Sequence, residues 1–335
     1  SREELTMLRR SLIKAAVAAT VLASSPVAGQ AAETLRFGHY AATGDSAHKA
    51  AELFKSRVEE LTNGELEISI HPSGELGNSQ TMLQGARLGT IDLVLVGNPY
   101  FTAFAPQVNV LDLPFLFQSS DHAYKVMDGE VGEELMASIN QSNLQGLAFW
   151  EIGFRDLTNN VRAVKEPADM DGLKIRTTPN PAHIKAFELL GANPVPMPFA
   201  EVYSALQTGT IDGQENPVNH IYASKIYEVQ KYLSLTHHAY TAAPLVMNFG
   251  RYSRLSPEQQ EAIKTAALEA AAYERKLNAE ESESSLQAMK DAGIEVEENP
   301  DIAAFRKAVA EQTRADYVEK FGDDLLKKID AMAGN

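Results

Sequence analysis

No cysteine occurs among the 335 residues, which excludes a disulfide framework, a Cys-ligated metal and a thiol nucleophile together. The compartment stays open, because a chain of this length buries enough apolar surface to be stable without covalent staples. Basic residues are scarce as well. Thirty Lys and Arg face 45 Asp and Glu, a formal charge of −15, and that balance argues against nucleic acid, whose phosphates need a basic face. No G-x-G-x-x-G, P-loop, G-x-S-x-G or H-E-x-x-H is present, so phosphate cradling, an α/β-hydrolase nucleophile and a zincin helix lack their sequence support. The one histidine pair, His237-His238, would point opposite ways in an extended segment, a poor chelate; these read as structural or hinge residues. No metal and no cofactor is expected. With 44% hydrophobic and 22% charged residues, what remains is an ordinary globular composition, long enough that two lobes are the default.

The compartment is read from the beginning of the chain. From Met7 the sequence runs MLRRSLIK, then the small apolar stretch AAVAATVLA (Ala15 to Ala23), then SSPVAGQAAETL. A basic start, a short apolar middle and small residues at a cutting point form the pattern of a secretory signal. The apolar run is about half of what a bilayer-spanning helix needs, so export is preferred over a permanent anchor or a buried Ala-rich helix. Cleavage after Ala31 would remove Arg2, Arg9, Arg10 and Lys14 but only Glu3 and Glu4, leaving the remainder two charges more negative than the −15 of the whole chain. SREELT lies upstream of the signal and is left out of the fold reasoning. Residues 1–31 are thus assigned to the signal and its upstream residues, and the periplasm is the expected location.

One unit of architecture recurs. LRFGHY (Leu35 to Tyr40) alternates as a strand, SAHKAAELFKSRVEELTNG reads as an amphipathic helix ending at Gly64, and ELEISIHP is a second strand. This β, α, β order predicts a parallel pair with a helical crossover. A helix TMLQGARLGT and an apolar strand IDLVLVGNP follow, stopping at Asn98-Pro99. The pattern returns as EVYSALQTGTIDGQENP, with Gly-Thr-Ile-Asp at 89–92 and again at 209–212, each leading to an Asn-Pro pair. Two similarly built α/β lobes are expected: 32–152 plus about 241–281, and 153–240 plus about 282–335. Ligands in open α/β sheets sit beyond the carboxyl ends of the strands, so Asn98 and Asn216 would face one cleft. The alternative is that both are turn residues before proline.

Between the copies, LQGLAFWEIGFRDLTNN predicts a buried strand at Leu147 to Trp150 with Arg155 emerging after it. GLKIRTTPNP places Arg176 at another strand end. Two arginines at strand ends of an acidic protein are candidate carboxylate clamps, since the guanidinium fork matches a carboxylate bidentately. DGQEN (Asp212 to Asn216) offers two carboxylates with no assignable partner, so an enzyme stays open. Ser256-Pro257-Glu258 opens a helix with Pro at its first position, and the pattern runs to Ala292 before Gly293. Unbroken, that helix would be long enough to brace both lobes; a break near Glu281-Ser282 is the alternative.

The stretch from GLKIRTTPNP through P-M-P-F-A-E-V-Y-S-A-L-Q-T-G and D-G-Q-E-N-P to LSLTHH resembles the signature region of DctP-type substrate-binding proteins of tripartite ATP-independent periplasmic (TRAP) transporters. FGHYAATGDSAHKAAELF, GELGNSQTMLQGARLGTIDL, DLPFLF and SPEQQEAIKTAA have counterparts there too, so the likeness covers essentially all of the chain after the signal. The resemblance implies a two-lobed periplasmic binding fold, type II-like, with mixed sheets flanked by helices, which closes by hinge motion on an organic acid and delivers it to membrane permease subunits. It implies Arg176 as the main bidentate partner of the ligand carboxylate, Arg155 as a second charged contact, Asn216 as a hydrogen-bonding partner and Phe199 as the aromatic against the ligand body. Glu215 belongs to the same set. By position His39, Tyr40, Ser79 and Asn98 would complete the site from the first lobe. Sialic-acid-binding relatives carry an acidic residue where Gly97 stands, which argues against sialic acid. Relatives that bridge their ligand through a metal near Glu215 often have an aromatic after that Glu, where Asn216 stands here. The expected ligand is a polyhydroxylated acid, a hexuronate or aldonate, with a C4-dicarboxylate as the alternative and a periplasmic enzyme or sensor domain behind it. No turnover, no nucleic acid and no stable membrane insertion after signal removal are expected.

Overall fold

The protein is described here by a computed structural model covering residues 32–334; the export signal read from residues 1–31 lies outside the described residues. Nine strands join one mixed sheet: β1 (Glu33–His39), β2 (Leu66–His71), β3 (Leu93–Leu95), β4 (Leu144–Asn159), β5 (Lys174–Thr177), β6 (Asn193–Pro196), β7 (Gly213–Asn216), β8 (Tyr232–Asn248) and β9 (Glu295–Glu297). Their order is β2-β1-β3-β8-β4-β7-β5-β6, with β9 pairing onto β8. The centre is made by the two longest strands, β4 and β8, antiparallel to each other. On one side β3 lies antiparallel to β8 and parallel to β1. On the other, β7 lies antiparallel to β4 and parallel to β5, which is parallel to β6.

The repeated tetrapeptide does the same work in both halves. Gly89 and Gly209 end the helices Ser79–Leu88 and Phe199–Gln207 at φ +82° and +72°, a conformation glycine adopts without the penalty of a Cβ. Ile91 and Ile211 are buried just after them. The aspartates then clip the neighbouring strand. Asp92 accepts from the Arg36 N–H at 2.7 Å and donates its own N–H to the Arg36 carbonyl, while Asp212 repeats both contacts on Lys174, at 2.8 and 2.9 Å. Four residues at equivalent helix ends thus set β3 beside β1 and β7 beside β5.

Both faces of β3 are covered, which is why it reads as an apolar run. On β3, Leu93 and Leu95 join the cluster of Phe37, Phe54 and Trp150, while Val94 and, just past the strand, Val96 join a second cluster with Met82 and Leu83. The first cluster is closed by helix Pro257–Asp291, 35 residues without a break. Ser256 and Gln259 cap it reciprocally, with Pro257 in the first turn, as the capping box and the missing proline N–H require. Its first half supplies Ile263, Ala266, Ala267, Ala270 and Ala271 to the Trp150 cluster, and the Trp150 indole N–H donates to the Ala267 carbonyl at 3.0 Å. Its last turns place Met289 in a different cluster, with Ile211 and Leu233. One helix therefore ties together cores on both sides of the β4–β8 centre. Among the described residues, no helix is long and apolar enough to cross a membrane.

Candidate ligand-binding site

The helices that precede the two Gly-Thr-Ile-Asp copies start at the same place. Ser79 and Phe199, their first residues, line one cavity together with Tyr40, Arg155, Arg176 and Asn216. It encloses about 360 Å³ of empty space, part of it open to solvent. Strand ends and helix N-termini converge there, and the partial positive charge of helix N-termini favours an anion.

Arg155 and Arg176 line the cavity in different electrical states. Arg155 lies inside β4 rather than beyond its end, because that strand runs on to Asn159. The register opposite β7, with Leu157 facing Glu215 and Asp156 facing Asn216, brings the Arg155 guanidinium onto the Glu215 carboxylate. Its Nε donates to Glu215 Oε2 and its Nη2 to Oε1, at 3.0 Å for the latter; Nη1 reaches Thr241 Oγ1 at 3.1 Å. Glu215 also accepts from Thr177 Oγ1 at 3.1 Å and bonds His238 Nε2 at 3.1 Å. Burial alone would push the Glu215 carboxyl up, but the Arg155 charge and the His238 bond outweigh it and hold it well below the ordinary carboxylate range. The Arg155 charge is therefore largely cancelled inside the protein.

Arg176, on β5 and 1% exposed, has no such partner. Its Nε and Nη2 donate to the Met197 carbonyl at 3.0 and 2.9 Å, and Nη2 lies 3.4 Å from the Tyr100 hydroxyl. Among the described residues no carboxylate forms an ion pair with it. Its guanidinium carbon stands 5.8 Å from the centre of the Phe199 ring. Desolvation lowers its pKa, the expected sign for a buried cation.

Three residues expected at the site do not line the cavity. His39 shares the face of β1 that carries Leu35 and Phe37, so its ring turns into the core, 5.7 Å from Phe37. There it meets His48 Nδ1 at 3.1 Å and accepts from the Ala41 N–H, and burial pushes its pKa down to about 3. Asn98 is fully buried and turned away, its Nδ2 donating to the Val108 carbonyl and to Asp112 Oδ2, both at 2.8 Å; its neighbours Gly97 and Pro99 line the cavity instead. Glu215 sits behind the wall, consumed by Arg155. Asn216 is at the wall, with Oδ1 accepting from Arg155 at 3.0 Å and Nδ2 donating to Gln214 at 2.7 Å. His237 and His238 diverge as their adjacency requires: the 55% exposed His237 pairs with Asp156 at 3.0 Å, and His238 points inward to Glu215. Tyr100, Thr178, Thr241 and His220 also line the cavity. Sequence reasoning singled out none of the four: Thr178 and His220 lie within the signature stretch without an assigned role, and Tyr100 and Thr241 lie outside every quoted motif.

A buried arginine without a paired carboxylate among the described residues, at the meeting point of strand ends and helix N-termini, is an arrangement that suits an anion. Residues 37–320 match the family described as "Bacterial extracellular solute-binding protein, family 7". The chain belongs to this family, the DctP-type solute-binding proteins of TRAP transporters. It is 47% identical over 311 residues to the 2,3-diketo-L-gulonate-binding periplasmic protein YiaO of Escherichia coli, covering 92% of this chain and 95% of that one. Among solved structures it is similar to a TRAP periplasmic solute-binding protein from Polaromonas sp. JS666 bound to D-erythronate, with TM-score 0.88, 35% identity and coverage of 90% and 99% of the two chains. It is also similar to one from Sulfitobacter sp. NAS-14.1 with bound β-D-galacturonate, with TM-score 0.85, 30% identity and coverage of 90% and 99%. The ligands named for these three, 2,3-diketo-L-gulonate, D-erythronate and β-D-galacturonate, are sugar acids.

Proposed function

We propose that this chain captures a sugar acid carrying one carboxylate, a hexuronate or aldonate, in the periplasm and hands it unchanged to the TRAP permease subunits. The observation that carries this reading is Arg176, a buried guanidinium that no carboxylate among the described residues pairs with. Leaving a charge in that state costs several kcal/mol, which a ligand carboxylate in bidentate contact recovers. Because Glu215 already cancels Arg155, Arg176 is the one arginine of the cavity left for a ligand carboxylate, and this favours a monocarboxylate over a C4-dicarboxylate. The sugar acids named for the relatives support the same class. The segments 32–152 with about 241–281, and 153–240 with about 282–335, are the two lobes that close on the ligand, with Tyr40 and Ser79 contributed by the first and Arg176, Phe199 and Asn216 by the second.

Titration calorimetry of the protein with D-galacturonate and with succinate tests this directly. Binding of D-galacturonate is expected to be the stronger, and Arg176→Ala is expected to weaken it by about 2–5 kcal/mol, the range for truncating one side of a buried charge pair. Near-normal affinity in Arg176→Ala overturns the clamp. Mass spectrometry of the released ligand should return D-galacturonate unaltered; conversion to a product would make the protein an enzyme.

A further inference from the structure

The cavity wall contains a polar group with an unused hydrogen-bonding position, His220. This ring, 4% exposed, is fixed from three sides. Its Nδ1 lies 2.8 Å from Asp45 Oδ2, it overlaps the Phe199 ring with centroids 4.5 Å apart, and it meets the Tyr40 ring edge-on at 5.4 Å. Nε2 has no protein partner among the described residues, although the residue lines the cavity. Asp45 is itself pinned as the cap of helix Ser46–Leu61, its Oδ1 accepting from the Ala47 N–H at 2.9 Å. Burial would raise its pKa, but the hydrogen bond and the charge of His220, together with the Ala47 N–H, hold it below the ordinary value. Asp45 is therefore an ionised carboxylate that only accepts, so His220 Nδ1 carries the hydrogen in that contact. In the neutral ring this tautomer leaves a lone pair on Nε2.

We infer that His220 is a specificity-determining residue of this site, its Nε2 accepting a hydrogen bond from a ligand hydroxyl in the tautomer that Asp45 imposes. The inference rests on the reading that an organic acid binds at Arg176. Arg176 and His220 both flank the Phe199 ring, at 5.8 and 4.5 Å, so a ligand held by its carboxylate at Arg176 and lying on Phe199 presents its far end to His220. A hydroxyl there can donate to the lone pair. A second carboxylate cannot meet the neutral ring in this way, since it offers acceptors alone and faces a lone pair with its own. The device therefore selects a hydroxyl-bearing tail against a diacid of the same length. It is completed by a carboxylate 175 positions away in the chain, from the segment assigned above to the other lobe, so His220 is set for its ligand when the two segments meet.

D-galactonate and galactarate separate these cases, because they share the internal hydroxyls and differ in whether the far end is a hydroxymethyl or a second carboxylate. In calorimetry at pH 8 the unmodified protein is expected to bind D-galactonate at least about tenfold more tightly than galactarate, the size of one hydrogen bond won or one buried acceptor left unpaired. His220→Phe keeps the ring contact with Phe199 but removes both nitrogens, and should lose about 10- to 100-fold for D-galactonate while narrowing the ratio to galactarate. His220→Gln, which keeps an acceptor at the same reach, should recover part of the loss. Equal or tighter binding of galactarate by the unmodified protein overturns the inference, and so does D-galactonate affinity unchanged in His220→Phe. Failure of both acids to bind the unmodified protein overturns the Arg176 reading itself and this inference with it. Should His220→Phe not fold, the ratio in the unmodified protein and the Gln variant decide the matter.

Discussion

Replacing Glu215 by Gln tests the electrical account of the site at its most sensitive point. Glu215 is fully buried and Arg155 is 2% exposed, and the carboxylate takes two guanidinium contacts along with Thr177 and His238. Gln keeps the volume and one acceptor but turns a cancelled pair into an isolated buried cation. Removing one member of a buried pair costs about 3–5 kcal/mol, mostly the penalty of stranding the other charge. At roughly 2 °C per kcal/mol for a chain of this length, the Tm in differential scanning calorimetry at pH 7 should fall by about 6–10 °C. Removing both charges, as Arg155→Met with Glu215→Gln, should cost less than the sum of the two single changes, because the pair acts as a unit. The pH sign follows from the depressed carboxyl of Glu215. Its contribution is whole above the ordinary carboxylate value of about 4.3 and is lost as the medium becomes more acidic, so the penalty should persist at pH 5 and shrink below pH 4. A Tm within about 2 °C of the parent, or strictly additive single costs, would refute the claim that Glu215 neutralises Arg155.

Two further outcomes follow from charge placement. The Asp156 hydrogen bond raises the His237 pKa against the opposing effect of burial, so this contact stabilises fully below the unfolded value of about 6.5 and fades as pH rises through the folded value; His237→Gln should lower Tm more at pH 6 than at pH 9, and equal losses at both would show that the pair is electrically silent. In stopped-flow, the association rate of D-galacturonate should rise with added salt between 20 and 200 mM, because an anion approaches a chain of formal charge −15 whose repulsion salt screens; a rate that falls with salt would mean that a local positive field at the cavity mouth dominates.

The sequence carried the elements whose causes are local. The 35-residue helix was legible from Ser256-Pro257 and Gly293, since caps and breakers act within a turn or two. The duplicated Gly-Thr-Ile-Asp was legible as a pattern, although its task of clipping Arg36 and Lys174 from afar was not. The pairing of Arg155 with Glu215 was out of reach, because it depends on which residues of β4 and β7 face each other across 60 positions of chain. DGQEN consequently read as two carboxylates without a partner. His39 and Asn98 stand off the cavity for a related reason. Proximity to a strand end does not say which way a side chain turns, and a shift of one position moves it to the other face; Tyr40 reached the cavity while His39 entered the core.

The two halves of the sheet explain why the anion site arises where it does. Each half supplies a strand end, an Asn-Pro pair and a helix N-terminus, and these converge where the same tetrapeptide fixes each helix end against its strand pair. Two helix N-termini alone would favour any anion weakly. Selectivity enters where the halves cease to be equivalent. Asn216 is held at the wall by Arg155, whereas Asn98 is withdrawn to Asp112, and one arginine is cancelled by Glu215 while the other is left unpaired. An acidic protein can therefore bind an acid without a basic surface. On the proposed reading a single buried guanidinium, Arg176, provides the charge, and the asymmetry between the repeated units leaves one such charge and not two.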